Sequence, residues 1–464
     1  MKEFTRKFIV WLSIISCVWA CIPEEELSTT DPSAELSFSE KAVVFDTIYT
    51  ALPSITRWLT VYNPNKRAVT ISNIYLGNQA DSPYDVIVNG RPLPEAKNVR
   101  LLGGDSLLVL VKASLAARNE DLPFIVYDSL MFETNGNRQN VKLLAWGQDV
   151  TFVRYNDYIT SCNNTWTAGK PYILMDSLQI PPDCKLTMEA GTQIYSRPGA
   201  KILVDGTLEI LGTPEKKVIL ADFRQLKDNA PGQWGGLVFN QTSKINIIRG
   251  AEIRNANTGL DVQISDEDIL PDLTLENTII KNMLQAGIKA INADISLTNT
   301  LITNCVASLI DVRGGGNYTC KHCTFTSYSF DFARELPAVL LSTTYKNQDG
   351  KPQIVQPLSW VMQNSIIWGG NGFSEEILLT RDPAVEVTIR AENSLLKTRI
   401  QETFSGNGNL LNIPASPLFI DPSILNFRPD SLSPIIDAGV QLNVAEDITG
   451  KKRDDKPDIG AYER

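Results

Sequence analysis

The chain has one histidine, His322, in 464 residues. That scarcity removes every mechanism needing two imidazoles and most zinc sites. Positive charge is also in deficit: 43 Lys and Arg against 53 Asp and Glu give a net charge of −10. A chain of that sign has no electrostatic grip on phosphate backbones, so nucleic acid is not an expected partner. No apolar run reaches the roughly 20 residues needed to span a bilayer. Apolar residues at 43% and charged residues at 21% are ordinary for a folded globular chain. The length suits two or three domains.

What is present begins with an address. Lys2, Arg6 and Lys7 precede the apolar run Phe8 to Ile15, and small or apolar residues lead to Cys21. This is the layout of a secretory signal peptide over residues 1–20. Val18, Trp19, Ala20 and Cys21 resemble a bacterial lipobox, with Cys17 as a weaker alternative. The resemblance implies that Cys21 is lipidated and becomes the mature N-terminus, anchoring the protein in a membrane. Glu24, Glu25 and Glu26 follow; they resemble the acidic export signal of Bacteroidetes-type surface lipoproteins, implying display at the outer membrane or cell surface. Residues 21–35 otherwise read as a tether rich in Glu, Ser, Thr and Pro. Five cysteines remain beyond Cys21: Cys162, Cys184, Cys305, Cys320 and Cys323. An odd number outside the cytoplasm leaves at least one free thiol. Cys162 and Cys184, 22 residues apart, are the expected disulfide, contributing about 3 kcal/mol by loop closure.

Residues 36–150 divide into short β-rich runs, among them Ala42 to Ile48, Thr56 to Tyr62, Ser106 to Lys112 and Val141 to Trp146, punctuated by Asn63-Pro64, Asn89-Gly90 and Asn135-Gly136. Seven such runs predict an immunoglobulin-like β-sandwich. The alternation of Trp58, Thr60 and Tyr62, and of Leu108 and Leu110, is read as the core-facing side. The strand Leu59 to Asn63 and the closing Ala145, Trp146, Gly147 resemble Ig-like modules at the front of bacterial surface lipoproteins. This unit is read as a spacer or stabilising cap.

The second half repeats itself. Leu275-Glu-Asn277-Thr-Ile-Ile returns as Leu297-Thr-Asn299-Thr-Leu-Ile and again as Cys320-Lys-His322-Cys-Thr-Phe, at offsets of 22 and 23 residues, with echoes at Asn364 and Asn393. Such a period signals a solenoid whose coils bury their apolar faces against one another. Strand-forming residues without a helical stripe predict a parallel β-helix over residues 151–410. The recurring asparagines are expected inside, stacked at the ~4.8 Å strand spacing, with His322 on the same rail.

Gly191-Thr-Gln-Ile194, Leu203-Val-Asp205-Gly206 and Gly232-Gln-Trp234-Gly235-Gly236 resemble the opening rungs of right-handed parallel β-helix proteins, pectate-lyase-like families included. Ser416-Pro417-Leu418, Ser433 to Gly439 and Asp458-Ile-Gly-Ala-Tyr-Glu463 are similar to the closing segment of the choice-of-anchor Q group. That resemblance implies a C-terminal cap over residues 411–464, which would also cover the unpaired strand edges of an open coil.

Chemistry is sparser. Lyases of this fold need a Lys or Arg base, usually with calcium on clustered carboxylates. Asp261, Asp266, Glu267, Asp268 and Asp272 form one acidic stretch, read as a solvated loop. Polygalacturonase signatures are absent. Cys320, His322 and Cys323 invite a metal reading, but no fourth ligand is evident, and alternate strand residues should point the two cysteines apart. No metal, cofactor or catalytic residue is therefore assigned. Tyr345, Trp360 and Trp368 cluster around the insertion Thr343 to Pro357 and are the candidate glycan-binding aromatics. Thr47, Ser106, Ser129, Ser177 and Ser431 each follow an Asp and precede an apolar residue, resembling Bacteroidetes-type O-glycosylation sites. The leading expectation is a lipid-anchored, surface or outer-membrane protein whose β-helix presents an extended binding face for glycan or another surface component, without evident catalysis. The alternatives are a polysaccharide lyase or glycoside hydrolase, and a structural adhesin or assembly subunit.

Overall fold

The computed structural model describes residues 27–93, 96–155, 162–224, 230–263, 270–328, 332–346, 349–370, 373–413 and 419–464. Cys17, Cys21 and the Glu24 to Glu26 run lie outside them, as do Ser416-Pro417-Leu418. The chain divides into two compact units at Asp149 and Val150.

The first unit is built from two five-stranded sheets. One runs Ser37–Phe38, Arg57–Tyr62, Ser106–Ala113, Tyr84–Val88, Arg91–Pro92; the other runs Ala42–Tyr49, Asn137–Gln148, Phe124–Thr134, Val69–Leu76, Val99–Leu101. Pairing is antiparallel except between Asn137–Gln148 and Ala42–Tyr49. Leu59, Val61, Val109 and Val111 meet Phe45, Leu130, Phe132 and Leu143 in one core. The phase is opposite to the one expected. Trp58, Tyr62 and Leu108 face solvent, Trp58 with 70% of its surface exposed, while Leu59, Val61, Leu107 and Val109 point inward. Both faces of these strands carry apolar side chains, so alternation fixes the period but not which set is buried.

The second unit is a parallel β-helix with three faces. Face I comprises Asn163–Trp166, Lys185–Glu189, Thr207–Leu211, Asn246–Arg249 and Leu273–Glu276, and continues through the second halves of Ala286–Thr298 and Ser308–Lys321 to Leu358–Gln363 and Val387–Glu392. Face II is an eleven-stranded sheet from Thr151–Val153 to Leu410–Leu411. Face III comprises Leu178–Ile180, Lys201–Val204, Gly236–Phe239, Leu260–Val262, the first halves of Ala286–Thr298 and Ser308–Lys321, then Val339–Ser342 and Ile377–Thr380. Every neighbour within a face runs parallel, so equivalent residues stack in columns. A continuous apolar core extends from Val153 to Phe404. Phe404, on the one-turn helix Gln401–Phe404, fills the end of that core. At the opposite end Cys162 and Cys184 are disulfide-bonded, and Trp166 stacks on Tyr172 with centroids 4.4 Å apart.

The corner between faces I and II recurs with left-handed backbone: Gly250 (φ 59°), Asn277 (50°), Asn299 (47°), His322 (52°), Asn364 (47°) and Asn393 (44°). Asparagine tolerates this region best among residues with a Cβ, and histidine is also enriched there. Side chains link along part of the rail: Asn299 Nδ2 donates to Asn277 Oδ1 at 2.9 Å, and Asn364 Nδ2 lies 3.0 Å from His322 Nε2. These amides are not inside the apolar core, contrary to expectation. A left-handed residue turns its side chain out of the strand alternation, and here it meets the chain's own C-terminus.

Residues 419–464 form that cover. Phe419, Phe427, Ile435, Ile448, Ile459 and Ala461 pack on Leu301, Ile366, Trp368 and Leu395 of face II. The segment thus straps the flank of successive coils. Asn364 Nδ2 donates to the Val440 carbonyl (2.6 Å), Asn299 Nδ2 to the Glu446 carbonyl (2.7 Å), and the Gly460 N–H to the Asn364 carbonyl (2.8 Å). Gly460 (φ 108°) leaves no room for a side chain, since a Cβ would lie 2.7 Å from Ile366 Cδ1 and 2.8 Å from Thr324 Oγ1. Arg453 pairs with Glu463 at 2.9 Å, both side chains almost fully buried, and also donates to Asn299 Oδ1 at 3.0 Å. The Asp447 carboxylate collects the N–H groups of Thr449, Lys451 and Glu463.

Burial beneath the strap, reinforced by the Arg453 charge, lowers the His322 pKa from 6.5 to about 3. The unfolded chain therefore binds a proton that the folded chain refuses between these values, so stability falls as pH drops from about 6.5 toward 3. One such group contributes a slope of at most about 1.4 kcal/mol per pH unit. His322→Asn, which restores the rail's usual residue, should flatten the loss of thermal stability between about pH 6.5 and 5, above the range of ordinary carboxylates. Identical slopes for variant and wild type would contradict this reading.

Candidate functional site

Parallel stacking builds a surface that no short stretch of sequence contains. On face III the outward column reads Asp261, Lys289, Asp311, Leu340, Leu378, one residue per coil. Lys289 Nζ sits 3.1 Å from Asp261 Oδ2. Arg313 grips Asp311 bidentately, with Nη2 to Oδ2 at 2.7 Å and Nε to Oδ1 at 3.0 Å, and the carboxylate correspondingly holds the guanidinium above its usual pKa. Beyond these pairs the column turns apolar. Leu340 and Leu378, with Ser342 and Thr380 beside them, line a groove of about 550 Å³, and Arg313, Lys346, Arg381 and Asp382 also line it.

One flank of the groove comes from the insertion between Thr343 and Pro357. It folds as a hairpin, Thr344–Lys346 against Pro352–Val355. Gly314 makes that docking feasible: at φ 73°, its Cβ position lies 3.1 to 3.3 Å from Ile354 and Tyr345. Thr344 and Lys346 of the hairpin line the groove.

The three aromatics expected to bind glycan do not form a platform. Trp360 is buried in the core, 5.9 Å from the Tyr318 ring and 6.5 Å from Phe325. Trp368 is buried with the strap, and Lys397 Nζ stands 5.7 Å from its ring centroid. Tyr345 alone is partly exposed, on the hairpin. Strand alternation turns Trp360 into the solenoid core, whereas Trp368 points outward from face II and is covered by the strap.

The Cys320, His322, Cys323 trio also departs from expectation. Both cysteines point into the core, because the left-handed corner at His322 resets the alternation between them. Cys323 Sγ lies 3.4 Å from the Lys321 carbonyl, and burial raises the Cys320 thiol well above its usual pKa. His322 faces the strap, away from both thiols. Cys305 is buried as well, its pKa pushed up to about 12. Of the acidic stretch, Asp266, Glu267 and Asp268 lie outside the described residues. Asp261 is paired with Lys289, and Asp272 is buried, accepting the Asp294 N–H at 2.8 Å. Among the described residues no three His, Cys, Asp or Glu side chains gather as a metal site.

The Asp-Ser/Thr positions share a local device. Asp46, Asp105 and Asp128 each accept the N–H of the next residue, Thr47, Ser106 and Ser129, through Oδ1. Asp430 accepts the Leu432 N–H, with Ser431 exposed between them. Ser177 Oγ instead accepts the Lys201 N–H of the next coil at 3.1 Å.

Residues 157–263 match the family model for a pectate-lyase like beta helix domain. No curated protein matches the chain. Among solved structures, the catalytic unit of a GH87 alpha-1,3-glucanase from Streptomyces thermodiastaticus aligns over 75% of this chain and 89% of its own, at 12% identity and a TM-score of 0.23. The E. coli chaperone DraB aligns over 25% of this chain and 58% of its own, at 15% identity and a TM-score of 0.18. The SafA pilin and SafB chaperone complex of Salmonella enterica gives 10% identity, 25% and 56% coverage, and a TM-score of 0.18. TM-scores of that size carry no argument; the β-helix assignment rests on strand pairing and on the family match.

If the tryptophans are core residues, Trp360→Ala should destabilise the solenoid by about 3–5 kcal/mol, whereas Tyr345→Ala should cost under about 1 kcal/mol. Denaturant unfolding distinguishes them. A small effect at both positions would argue for an exposed aromatic pair.

Proposed function

We propose that this protein is exported, anchored to a membrane by a lipid on Cys21 and displayed at the cell surface, and that face III of its β-helix binds glycan without turning it over. The observation carrying this reading is the groove over Leu340 and Leu378, with its hydroxyls and flanking charges drawn from successive coils. Apolar strips let sugar rings lie flat, and ordered polar groups beside them accept and donate hydrogen bonds, the usual make-up of a small-molecule or oligomer site. A solenoid extends such a strip along its axis, which suits a polymer. The signal-peptide layout and the residues around Cys21 support the address, and the Asp-Ser/Thr sites suit a protein glycosylated on export.

A second reading, a polysaccharide lyase or glycoside hydrolase, draws on Asp311 and Asp382 lining the same groove. Asp311, however, is locked by Arg313, and a carboxylate tied in a bidentate pair is poorly placed to give up or take a proton.

Arg381→Ala should weaken retention of the purified protein in a polysaccharide affinity gel by about tenfold, the size of one charge-assisted hydrogen bond. Retention of the variant equal to wild type would remove the groove from the account. Release of unsaturated or reducing ends from the same polysaccharides, with or without calcium, would replace binding by catalysis. Cys21→Ala should move the protein from the membrane to the soluble fraction; full membrane retention would count against the lipid anchor.

A further inference from the structure

The front unit carries a feature a spacer does not need. On the outer face of its second sheet, Tyr127 is 74% exposed and Ile125 57% exposed. They belong to an apolar row: Tyr127 lies opposite Leu144, Leu144 beside Val44, and Ile125 opposite Trp146. Tyr127 and Phe124 line a cleft of about 400 Å³, together with Asn78, Asp81 and Arg118.

Buried carboxylates hold both walls. On one side Asp149, almost fully buried, accepts the N–H groups of Arg118 (3.1 Å) and Glu120 (3.0 Å), and these bonds keep its pKa low despite the burial that opposes them. On the other, Asp128 Oδ1 accepts the Asn78 N–H at 3.0 Å, and Asn78 Nδ2 donates to the Tyr127 carbonyl at 3.3 Å. The Arg118 guanidinium lies 4.1 Å above the Phe124 ring. Among the described residues neither it nor the Asp81 carboxylate is in an ion pair. The cleft therefore combines an exposed ring, one carboxylate and one ring-stacked guanidinium, both outside any ion pair among the described residues, on walls already fixed without a ligand. Such preorganisation lowers the ordering cost of binding.

We infer that this cleft is a second glycan site, independent of the β-helix groove, and that it takes a neutral oligosaccharide. The C–H face of a pyranose lies against Tyr127, Asp81 accepts sugar hydroxyls and Arg118 donates to them. With one charge of each sign the cleft has no net preference for a charged sugar, so uronates gain nothing there.

Full-length protein titrated calorimetrically with neutral hexasaccharides (β-1,4-linked glucan, mannan and xylan, and α-1,4-linked glucan) should bind at least one of them. Tyr127→Ala and Asp81→Ala should each weaken that binding by tenfold or more, while Tyr127→Phe, which keeps the ring, stays within threefold of the parent; all are compared in protein that also carries Arg381→Ala, so that the β-helix groove does not contribute. Tyr127 is exposed, so its variants should keep the wild-type melting temperature. Absence of binding to the whole panel would overturn the inference. So would binding insensitive to Tyr127→Ala, or binding abolished by Arg381→Ala alone.

Discussion

From Asn246–Arg249 onward, every coil of the β-helix turns from face I to face II through one residue with left-handed backbone, and the organisation of this flank follows from that requirement. Strand residues with a Cβ are strained at such a φ, so the position is filled by glycine, asparagine and once by histidine. Parallel register then stacks these residues into a rail. Because their side chains leave the strand alternation, they present amides along the flank instead of inward. The C-terminal strap uses that row of donors and acceptors, bonding to Asn299, Asn364 and Asn393 while its apolar residues cover face II.

The same register accounts for the groove. The described strap residues pack on face II, and the outward column of face III changes character from coil to coil. It passes from paired charges at Asp261, Lys289 and Asp311 to an apolar floor at Leu340 and Leu378. One flank of the solenoid is thus covered by the strap, and another carries the groove. Within the strap Arg453 pairs with Glu463, and the Glu463 N–H donates to Asp447, so charge enters a buried interface as a pair and not as a lone ion.

Much of this was legible in the sequence, for identifiable reasons. The 22- and 23-residue recurrences at Asn277, Asn299 and His322 record the corner directly, because a backbone requirement leaves a residue-type signature at fixed spacing. The Cys162 and Cys184 pair is legible because the same period brings them onto adjacent coils. The destination of the corner side chains was not legible: a recurring asparagine tells of φ, not of what covers it. Trp58, Tyr62 and Leu108 were misplaced because both faces of their strands are apolar. Trp360 and Trp368 were misplaced because proximity to an insertion says nothing about strand phase. The groove residues left no local mark, since Asp261, Lys289, Asp311 and Leu340 become neighbours only after coils of unequal length have stacked.

The most direct test of the account is hydrogen exchange on Gly460→Ala. Gly460 has left-handed backbone and no space for a Cβ, so the substitution should loosen the strap at its tightest point. If the strap covers the corner rail, amides at Asn299, Asn364 and Asn393 should lose protection together with those of Ile448 and Ile459, while face III strands around Leu340 and Leu378 keep theirs. Unchanged protection along the rail, or a uniform loss across all three faces, would contradict it.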